Sequence, residues 1–206
     1  MQNNKIPRSD KTLLIACGAL ARELLALIEV NNFDHMDITC IPASIHNTPK
    51  DIPEAMRAKI REHRDDYGRI VALFADCGTG GMLDVVLAEE GVERIHGAHC
   101  YEFYTGPSAF AELAEQELGT FYLTDYIVRQ FDALIMDGLG MTKHPELRDM
   151  YFANYKRLVY LAQTEDPDLI EQAKAAADKL GLEYEYRFTG LSELGTFLAQ
   201  QEPTSS

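Results

Sequence analysis

The chain has 206 residues, of which 46% are hydrophobic, enough for one large domain or two small ones with a buried core. It carries 33 acidic and 19 basic residues, which gives a formal net charge of −14. This charge repels phosphate backbones and anionic lipids, so neither nucleic acids nor membranes are expected as partners. No apolar run is long enough for a transmembrane helix, and residues 1–10, which lack the apolar core of a signal peptide, are predicted to be a disordered lead-in. We therefore expect a cytoplasmic protein whose four cysteines are free, metal-bound or catalytic rather than paired in disulfides.

Short apolar runs alternate with helical patterns along the chain. Strands are predicted at 11–16, 37–41, 69–75, 93–96, 120–123, 156–162 and 182–188. Helices are predicted at 18–33, 51–67, 82–90, 107–117, 125–131, 167–180 and 192–200. This alternation is typical of a doubly wound α/β fold with a mostly parallel sheet of Rossmann-like βα units. We predict a single α/β domain over 11–200, with a candidate sub-division near 140–155 into two similar halves and a tail over 201–206.

The four cysteines fall at or just beyond the carboxyl ends of the first four predicted strands. Cys17 follows the first strand, Cys40 lies in the second, Cys77 follows the third and Cys100 comes after the fourth. In open α/β sheets, ligands bind in the crevice beyond these ends. Any one of these cysteines has the alternative interpretation of a small buried hydrophobe. Their recurrence at four βα junctions favours a shared functional site.

Geometry limits how many of these thiols can share one metal ion. Neighbouring strands lie about 4.8 Å apart, and thiolates on one zinc ion lie within about 4 Å of one another. Three adjacent strand ends can meet this limit, whereas a fourth ligand must come from a loop. The candidate metal ligands are Cys17, Cys40, His46, Cys77, His99 and Cys100. No C-x-x-C pair occurs, which excludes zinc-ribbon and ferredoxin-type motifs, and we expect zinc, with iron or an iron–sulfur cluster as the alternative.

A glycine-rich loop connects the third strand to the next helix, and it consists of Gly78, Thr79, Gly80 and Gly81. Backbone amides of such a loop, together with a helix N-terminus, form an anion-binding nest, so the loop is a candidate site for a carboxylate, a phosphate or the edge of a cofactor. The alternative is a tight turn without a ligand, and the spacing matches neither of the common nucleotide-binding motifs. Asp76 beside this loop is a candidate base or orienting group, and Glu102 is a candidate acid or base.

Five stretches, IACGAL, CIPASIHNTP, ADCGTGG, HCYEFY and HPELRDMYFANYKRLVYL, resemble an uncharacterised family of bacterial and archaeal proteins, catalogued as a domain of unknown function. The resemblance covers about 11–198 and includes every candidate metal ligand. It implies no reaction. It does imply a context, because members are often encoded near trimethylamine-type methyltransferases, corrinoid-binding proteins and their reductive activators. The resemblance therefore implies a corrinoid protein or a methyltransferase as partner, and a corrinoid reached through that partner.

Three functions remain open at this point, and whether the protein is an enzyme remains open with them. The first is a metalloprotein in corrinoid-dependent methyl transfer or one-carbon metabolism, in which the metal activates a small thiol and the glycine loop holds a carboxylate. The second is a non-catalytic partner that carries a metal, a cluster or a corrinoid. The third is a metal-free enzyme with Cys77 as nucleophile at a helix N-terminus and a histidine as base.

Overall fold

Residues 6–201 are described in a computed structural model of the protein. Residues 1–5 of the predicted lead-in and 202–206 of the predicted tail lie outside these described residues. The strands are β1 Thr12–Cys17, β2 Met36–Ile41, β3 Arg69–Leu73, β4 Glu93–Arg94, β5 Thr120–Thr124, β6 Arg157–Ala162 and β7 Glu183–Phe188. The helices are α1 Ala21–Asn31, α2 Ile52–His63, α3 Met82–Glu90, α4 Glu102–Thr105, α5 Pro107–Gln116, α6 Asp125–Arg129, α7 Leu147–Phe152, α8 Pro167–Leu180 and α9 Ser192–Ala199.

The strands form two parallel sheets, which confirms the predicted α/β fold class. The chain divides into two compact units, one containing the described residues up to Phe103 and from Glu193 onward, the other containing Tyr104–Ser192. The boundaries lie at 103/104 and 192/193, whereas the sequence pattern suggested a sub-division near 140–155. No helix within residues 6–201 combines the length and apolar character needed to span a membrane.

The first sheet has the strand order β2-β1-β3-β4. All six residues of β1 are buried because this strand has a neighbour on each side, with Ala16 aligned to Cys40 on β2 and to Leu73 on β3. The chain leaves β1 for the outer strand β2 and then returns past β1 to form β3. The loops that follow β1 and β3 therefore flank a topological switch point, where α/β sheets of this strand order bind their ligands.

The second sheet has the strand order β5-β6-β7 and is covered by an apolar core that includes Leu123, Leu158 and Ala173. At its carboxyl edge the fully buried carboxylate of Asp125 accepts hydrogen bonds from the Tyr160 hydroxyl at 2.7 Å and from the backbone amide of Gln163 at 2.9 Å. These bonds tie the end of β5 to β6. After α6, the chain continues in a π-helical turn over Asp132–Asp137 that the sequence pattern did not indicate.

Candidate functional site

The four cysteines lie at the carboxyl edge of the first sheet, one on or after each strand. In the order of the strands across the sheet they are Cys40, Cys17, Cys77 and Cys100. Cys17 is the last residue of β1, and its Sγ accepts a hydrogen bond from the Ala19 amide at 3.4 Å. Cys17 and Cys77 follow the two strands that flank the topological switch point.

The loops after β3 and β4 are joined by backbone hydrogen bonds that extend beyond the two-residue strand β4. The Asp76 amide donates to the Gly97 carbonyl oxygen at 3.1 Å, and the Cys77 amide donates to the Ala98 carbonyl oxygen, also at 3.1 Å. Cys77 has a φ of +49°, in the left-handed region that non-glycine residues seldom adopt. Such strained residues cluster at functional sites, and here the strain sets the position of a thiol.

Three of the thiols act on one another electrostatically. Burial raises the pKa of Cys17 to about 11, the Ala19 amide opposes this shift, and Cys40 adds to it. Burial raises the pKa of Cys77 to about 12, with a further contribution from Cys17. Burial also raises the pKa of Cys100 well above its ordinary value, and Cys77 and Cys17 add to that shift. We call Cys17, Cys77 and Cys100 the thiol triad, because each of them interacts with the other two.

Cys40 interacts electrostatically with Cys17 but differs from the thiol triad in the face of the sheet on which it lies. In the β1–β2 register, Cys40 is aligned with Ala16 and Cys17 is aligned with Ile41. Side chains alternate between the two faces of a sheet, so Cys40 and Cys17 point to opposite faces. Burial raises the pKa of Cys40.

His46 lies in the segment after β2, which folds over the loops that begin at the thiol positions. A Cβ placed on Gly18 would lie 3.4 Å from the Ala43 nitrogen, and one on Gly78 would lie 3.7 Å from the Pro49 Cβ. The His46 ring stacks on Phe74, with ring centroids 5.6 Å apart and planes 13° apart. If the β1–β3 register is continued by one residue, Phe74 lies beside Cys17 and on the same face.

The hydrogen bond of His46 determines which ring nitrogen can act as a ligand. Nδ1 lies 2.8 Å from the Ala43 carbonyl oxygen, which only accepts, so Nδ1 carries the proton in a neutral ring. The lone pair is then on Nε2, for which the described residues provide no hydrogen-bond partner. A histidine that donates one ring N–H to a backbone carbonyl in this way is typical of a metal ligand oriented by its surroundings.

Glu102 and His99 lie in the turn that carries Cys100. The Glu102 carboxylate accepts hydrogen bonds from the backbone amides of Ala98 at 2.9 Å and His99 at 3.1 Å. Glu102 therefore holds the shape of this turn, and these bonds occupy one of its oxygens. The His99 side chain is exposed and lies against the ring of Tyr101, with centroids 6.2 Å apart.

The glycine loop binds a carboxylate of its own chain. The Asp76 side chain accepts hydrogen bonds from the backbone amides of Gly80 at 3.2 Å and Gly81 at 2.8 Å, and from the Thr79 hydroxyl. These bonds hold the pKa of Asp76 below its ordinary value, and the bond from the Thr79 hydroxyl has the largest effect. Two amides of the predicted anion nest are thus occupied, and a carboxylate with a lowered pKa is a weak base at neutral pH.

Arg94 is a residue of this site that the sequence pattern did not single out. Its side chain is only 9% exposed and forms a bidentate ion pair with Asp84 on α3. The same guanidinium donates to the Ile95 carbonyl oxygen at 3.0 Å and to the Gly97 carbonyl oxygen at 3.2 Å. Gly97 is also the acceptor for the Asp76 amide, so Arg94 lies directly behind the loop that carries Cys77.

The candidate ligands share one edge of the first sheet but do not form a closed metal cage. Across the described range 6–201, no group of three or more His, Cys, Asp or Glu side chains is arranged to hold a metal ion. What the first sheet brings together is the thiol triad, the His46 segment and the glycine loop. Cys40 lies on the other face of that sheet.

One known protein family matches most of the chain. A family described as protein of unknown function (DUF1638) matches residues 40–198, a span that includes His46 and two members of the thiol triad, Cys77 and Cys100. No curated protein matches the chain. By the extent of the family match, the chain belongs to the DUF1638 family of proteins of unknown function.

Proposed function

We propose that this protein binds a thiophilic metal ion, zinc before iron, at the carboxyl edge of the first sheet. The thiol triad supplies three ligands and His46 Nε2 supplies the fourth. The observation that carries this proposal is the placement of three cysteines at one edge of the sheet, Cys17 and Cys77 beside the topological switch point and Cys100 in the loop after the next strand. Thiolates combined with imidazole are a ligand set suited to zinc and iron.

Burial and mutual repulsion keep the thiols protonated in the absence of a metal, because these effects raise their pKa values. A bound cation reverses this balance, since it stabilises the thiolates and displaces their protons. Since no three of these side chains are arranged to hold an ion within the described residues, metal binding also requires the side chains of the thiol triad to rotate toward a common point. The exposed loop at Gly78 and Gly80 gives the ion a route to this point.

The raised pKa of Cys77 argues against a metal-free cysteine enzyme. A catalytic thiolate needs a lowered pKa, whereas burial raises that of Cys77 to about 12. A metal ion supplies the positive charge that the thiol otherwise lacks.

The role we propose for the metal site is in corrinoid-dependent methyl transfer, as the family resemblance implies. When bound, the metal lowers the pKa of a small thiol and makes it a better methyl acceptor. The thiol triad and His46 would hold the ion, and the small thiol would replace one of these four ligands, because zinc ordinarily holds four. Asp76 does not remove the proton, because its own pKa is lowered.

The first experiment measures metal in protein purified without oxygen, then follows Co²⁺ binding by the absorption of the thiolate–cobalt charge-transfer band. We expect one ion per chain, and strongly reduced binding after Cys17→Ser. Cys40→Ser is the matched control, because Cys40 lies at the same edge but on the other face of the sheet. A wild-type protein that binds neither Zn²⁺ nor Co²⁺ would contradict the proposal, and so would equal losses in the two variants.

The second experiment tests the methyl-transfer role with metal-loaded protein. Homocysteine, other small thiols and methylcobalamin are titrated in turn, with and without a corrinoid protein. Binding of a small thiol that changes the Co²⁺ spectrum supports the role. If none of them binds while the metal site is fully occupied, a protein that carries metal without catalysis becomes the better account.

A further inference from the structure

The strand β7 lies at one edge of the second sheet. Among the described residues it pairs only with β6, in an unbroken parallel register from Glu183 to Phe188. An edge strand presents a row of backbone groups that can pair with another strand, and proteins often block it with a proline, a bulge or charges of one sign. β7 contains no proline and no bulge, and its charged residues have both signs. Its edge is therefore suited to receive another strand.

Every second residue of β7 directs its backbone groups away from β6. The Glu183 amide donates to the Lys156 carbonyl oxygen at 3.0 Å, and the Thr189 amide donates to the Ala162 carbonyl oxygen at 2.9 Å. Because this direction alternates along a strand, the odd-numbered residues of β7 bond to β6. The residues that direct their amides and carbonyl oxygens to the outer side are Tyr184, Tyr186 and Phe188.

The side chains of these three residues are aromatic and share one face of the sheet, since side chains alternate between faces. Tyr186 is 37% exposed and Phe188 is 54% exposed. At the opposite edge of the same sheet, β5 has no exposed residue. Aromatic side chains that lie opposite each other on neighbouring strands stabilise the pairing of those strands. The exposed aromatic surface of this sheet is thus placed where an added strand would cover it.

The charges of β7 favour a second copy of this chain as the added strand. Glu185 and Arg187 lie on the other face, where the Arg187 guanidinium donates to the Glu185 carboxylate at 2.5 Å. If two copies of β7 run antiparallel with Tyr186 opposite its own counterpart, Glu185 of each copy lies opposite Arg187 of the other. A shift by two residues, the smallest that keeps each face, places Glu185 or Arg187 opposite its own counterpart, and like charges then repel each other.

We propose that the protein forms a symmetric dimer in which the β7 strands of two copies pair antiparallel and join two three-stranded sheets into one sheet of six strands. An interface with two-fold symmetry requires a surface that is complementary to itself. β7 meets this requirement in one register in three ways. The residues with outward backbone groups face each other, the aromatic side chains are opposed, and opposite charges are paired. The dimer does not depend on the proposed metal site.

The test introduces a charge at Tyr186, the position that lies opposite itself. Wild type, Tyr186→Lys and Tyr186→Glu are compared by sedimentation over a wide range of protein concentration. Wild type should form a dimer, and either substitution should weaken dimerisation by about tenfold or more, because like charges then lie opposite each other. An equimolar mixture of the two variants should restore the dimer, since the charges at this position are then opposite in sign.

Leu118→Lys is the matched control for these variants. It adds the same charge at a side chain that is 91% exposed and lies outside β7. It should leave the dimer intact.

Amide hydrogen exchange of wild type tests the same pairing without a substitution, and it decides if the Tyr186 variants do not fold. The outward amide of Tyr186 should exchange at least about tenfold more slowly when the dimer is formed, because it then has a hydrogen-bond acceptor. The Glu185 amide, which bonds to β6, should exchange slowly at every concentration.

Three results would overturn the inference. The first is a wild type that stays monomeric at every concentration, including one whose β7 pairs with a strand of another protein instead. The second is a dimer that neither Tyr186 substitution weakens, or in which exchange of the Tyr186 amide does not change with concentration. The third is a mixture of the two Tyr186 variants that stays as monomeric as each variant alone, since this result contradicts the self-opposed register.

Discussion

The amide of Cys77 donates a hydrogen bond to the carbonyl oxygen of Ala98 at 3.1 Å. This bond continues the pairing of β3 and β4 into the two loops that follow them, although β4 itself has only two residues. Cys100 lies two residues after Ala98 and is thereby held near Cys77. A contact between two loop backbones thus brings together thiols that are separated by a whole βα unit in the sequence.

The two loop thiols are expected to differ in their importance for metal binding. Cys77→Ser should lower metal content more than Cys100→Ser does. Cys77 is fixed by backbone pairing at the switch point, whereas Cys100 has the exposed His99 beside it as a substitute ligand. Metal analysis of both variants, purified without oxygen beside wild type, measures the difference. Equal metal content in wild type and Cys77→Ser would contradict a metal site at Cys77.

The left-handed backbone at Cys77 is expected to reduce stability, independently of any metal. In metal-free protein, Cys77→Gly should have a larger free energy of unfolding than Cys77→Ala, by about 1 kcal/mol. Both substitutions remove the thiol, but only glycine adopts a φ of +49° without strain. Denaturant titration of the two variants provides the comparison. An alanine variant as stable as the glycine variant would show that the backbone at this position is not strained.

The sequence pattern was sufficient to predict the strands and the edge on which the cysteines lie. β1 is an uninterrupted apolar run, and helix α3 begins and ends at the predicted residues. Local periodicity carries this information, because it reflects which residues are buried. The strand order was not predicted, since it depends on contacts between residues distant in sequence. The register that places Cys40 opposite Ala16, on the other face from Cys17, therefore could not be read from spacing alone.

Three features of the site depend on side-chain contacts that leave no pattern in the sequence. The sequence makes Asp76 a candidate base, yet its carboxylate closes the glycine loop by accepting hydrogen bonds from Thr79, Gly80 and Gly81. Arg94 has no signal in the sequence, because an arginine in a short strand is ordinary until its burial is known. Cys77 was predicted as a site residue, but its positive φ follows from loop pairing rather than from residue type.

The carboxylate of Asp76 is expected to stabilise the loop that carries Cys77. The pKa of Asp76 is lower in the folded protein than in the unfolded chain. Its contribution to the free energy of unfolding is therefore fully present above its pKa in the unfolded chain, and it is lost as the pH falls through its pKa in the folded protein. Asp76→Asn should reduce the free energy of unfolding by about 1 to 2 kcal/mol at neutral pH. The difference from wild type should shrink in acid. Denaturant titrations across this range test both statements.

Asp65→Asn is the matched control for that experiment, because this exposed carboxylate makes no side-chain hydrogen bond or ion pair with any residue in the described range. It should change stability by less than about 0.5 kcal/mol. If Asp76→Asn behaves like this control at neutral pH, the hydrogen bonds of Asp76 to the glycine loop do not stabilise the protein.

The last prediction concerns the alkaline stability of metal-free protein. Burial raises the pKa of Cys17 to about 11 in the folded state, whereas an unfolded cysteine ionises near about 8.5. As the pH rises, the Cys17 thiol therefore loses its proton at a lower pH in the unfolded chain than in the folded protein. The contribution of Cys17 to stability is complete below the unfolded pKa and is lost as the pH rises toward the folded one. Wild type should lose stability between about pH 8.5 and about pH 11 more steeply than Cys17→Ala.

The measurement is a set of denaturant titrations of both proteins over this pH range with a chelator present. Comparison with Cys17→Ala isolates one thiol, because every tyrosine and lysine that titrates in the same range is common to both. Metal-bound protein should not show this loss of stability at alkaline pH. Thiols must lose their protons to bind the metal, so a rising pH strengthens metal binding. Parallel pH profiles for the two metal-free proteins would mean that burial does not raise the pKa of the Cys17 thiol in the folded protein.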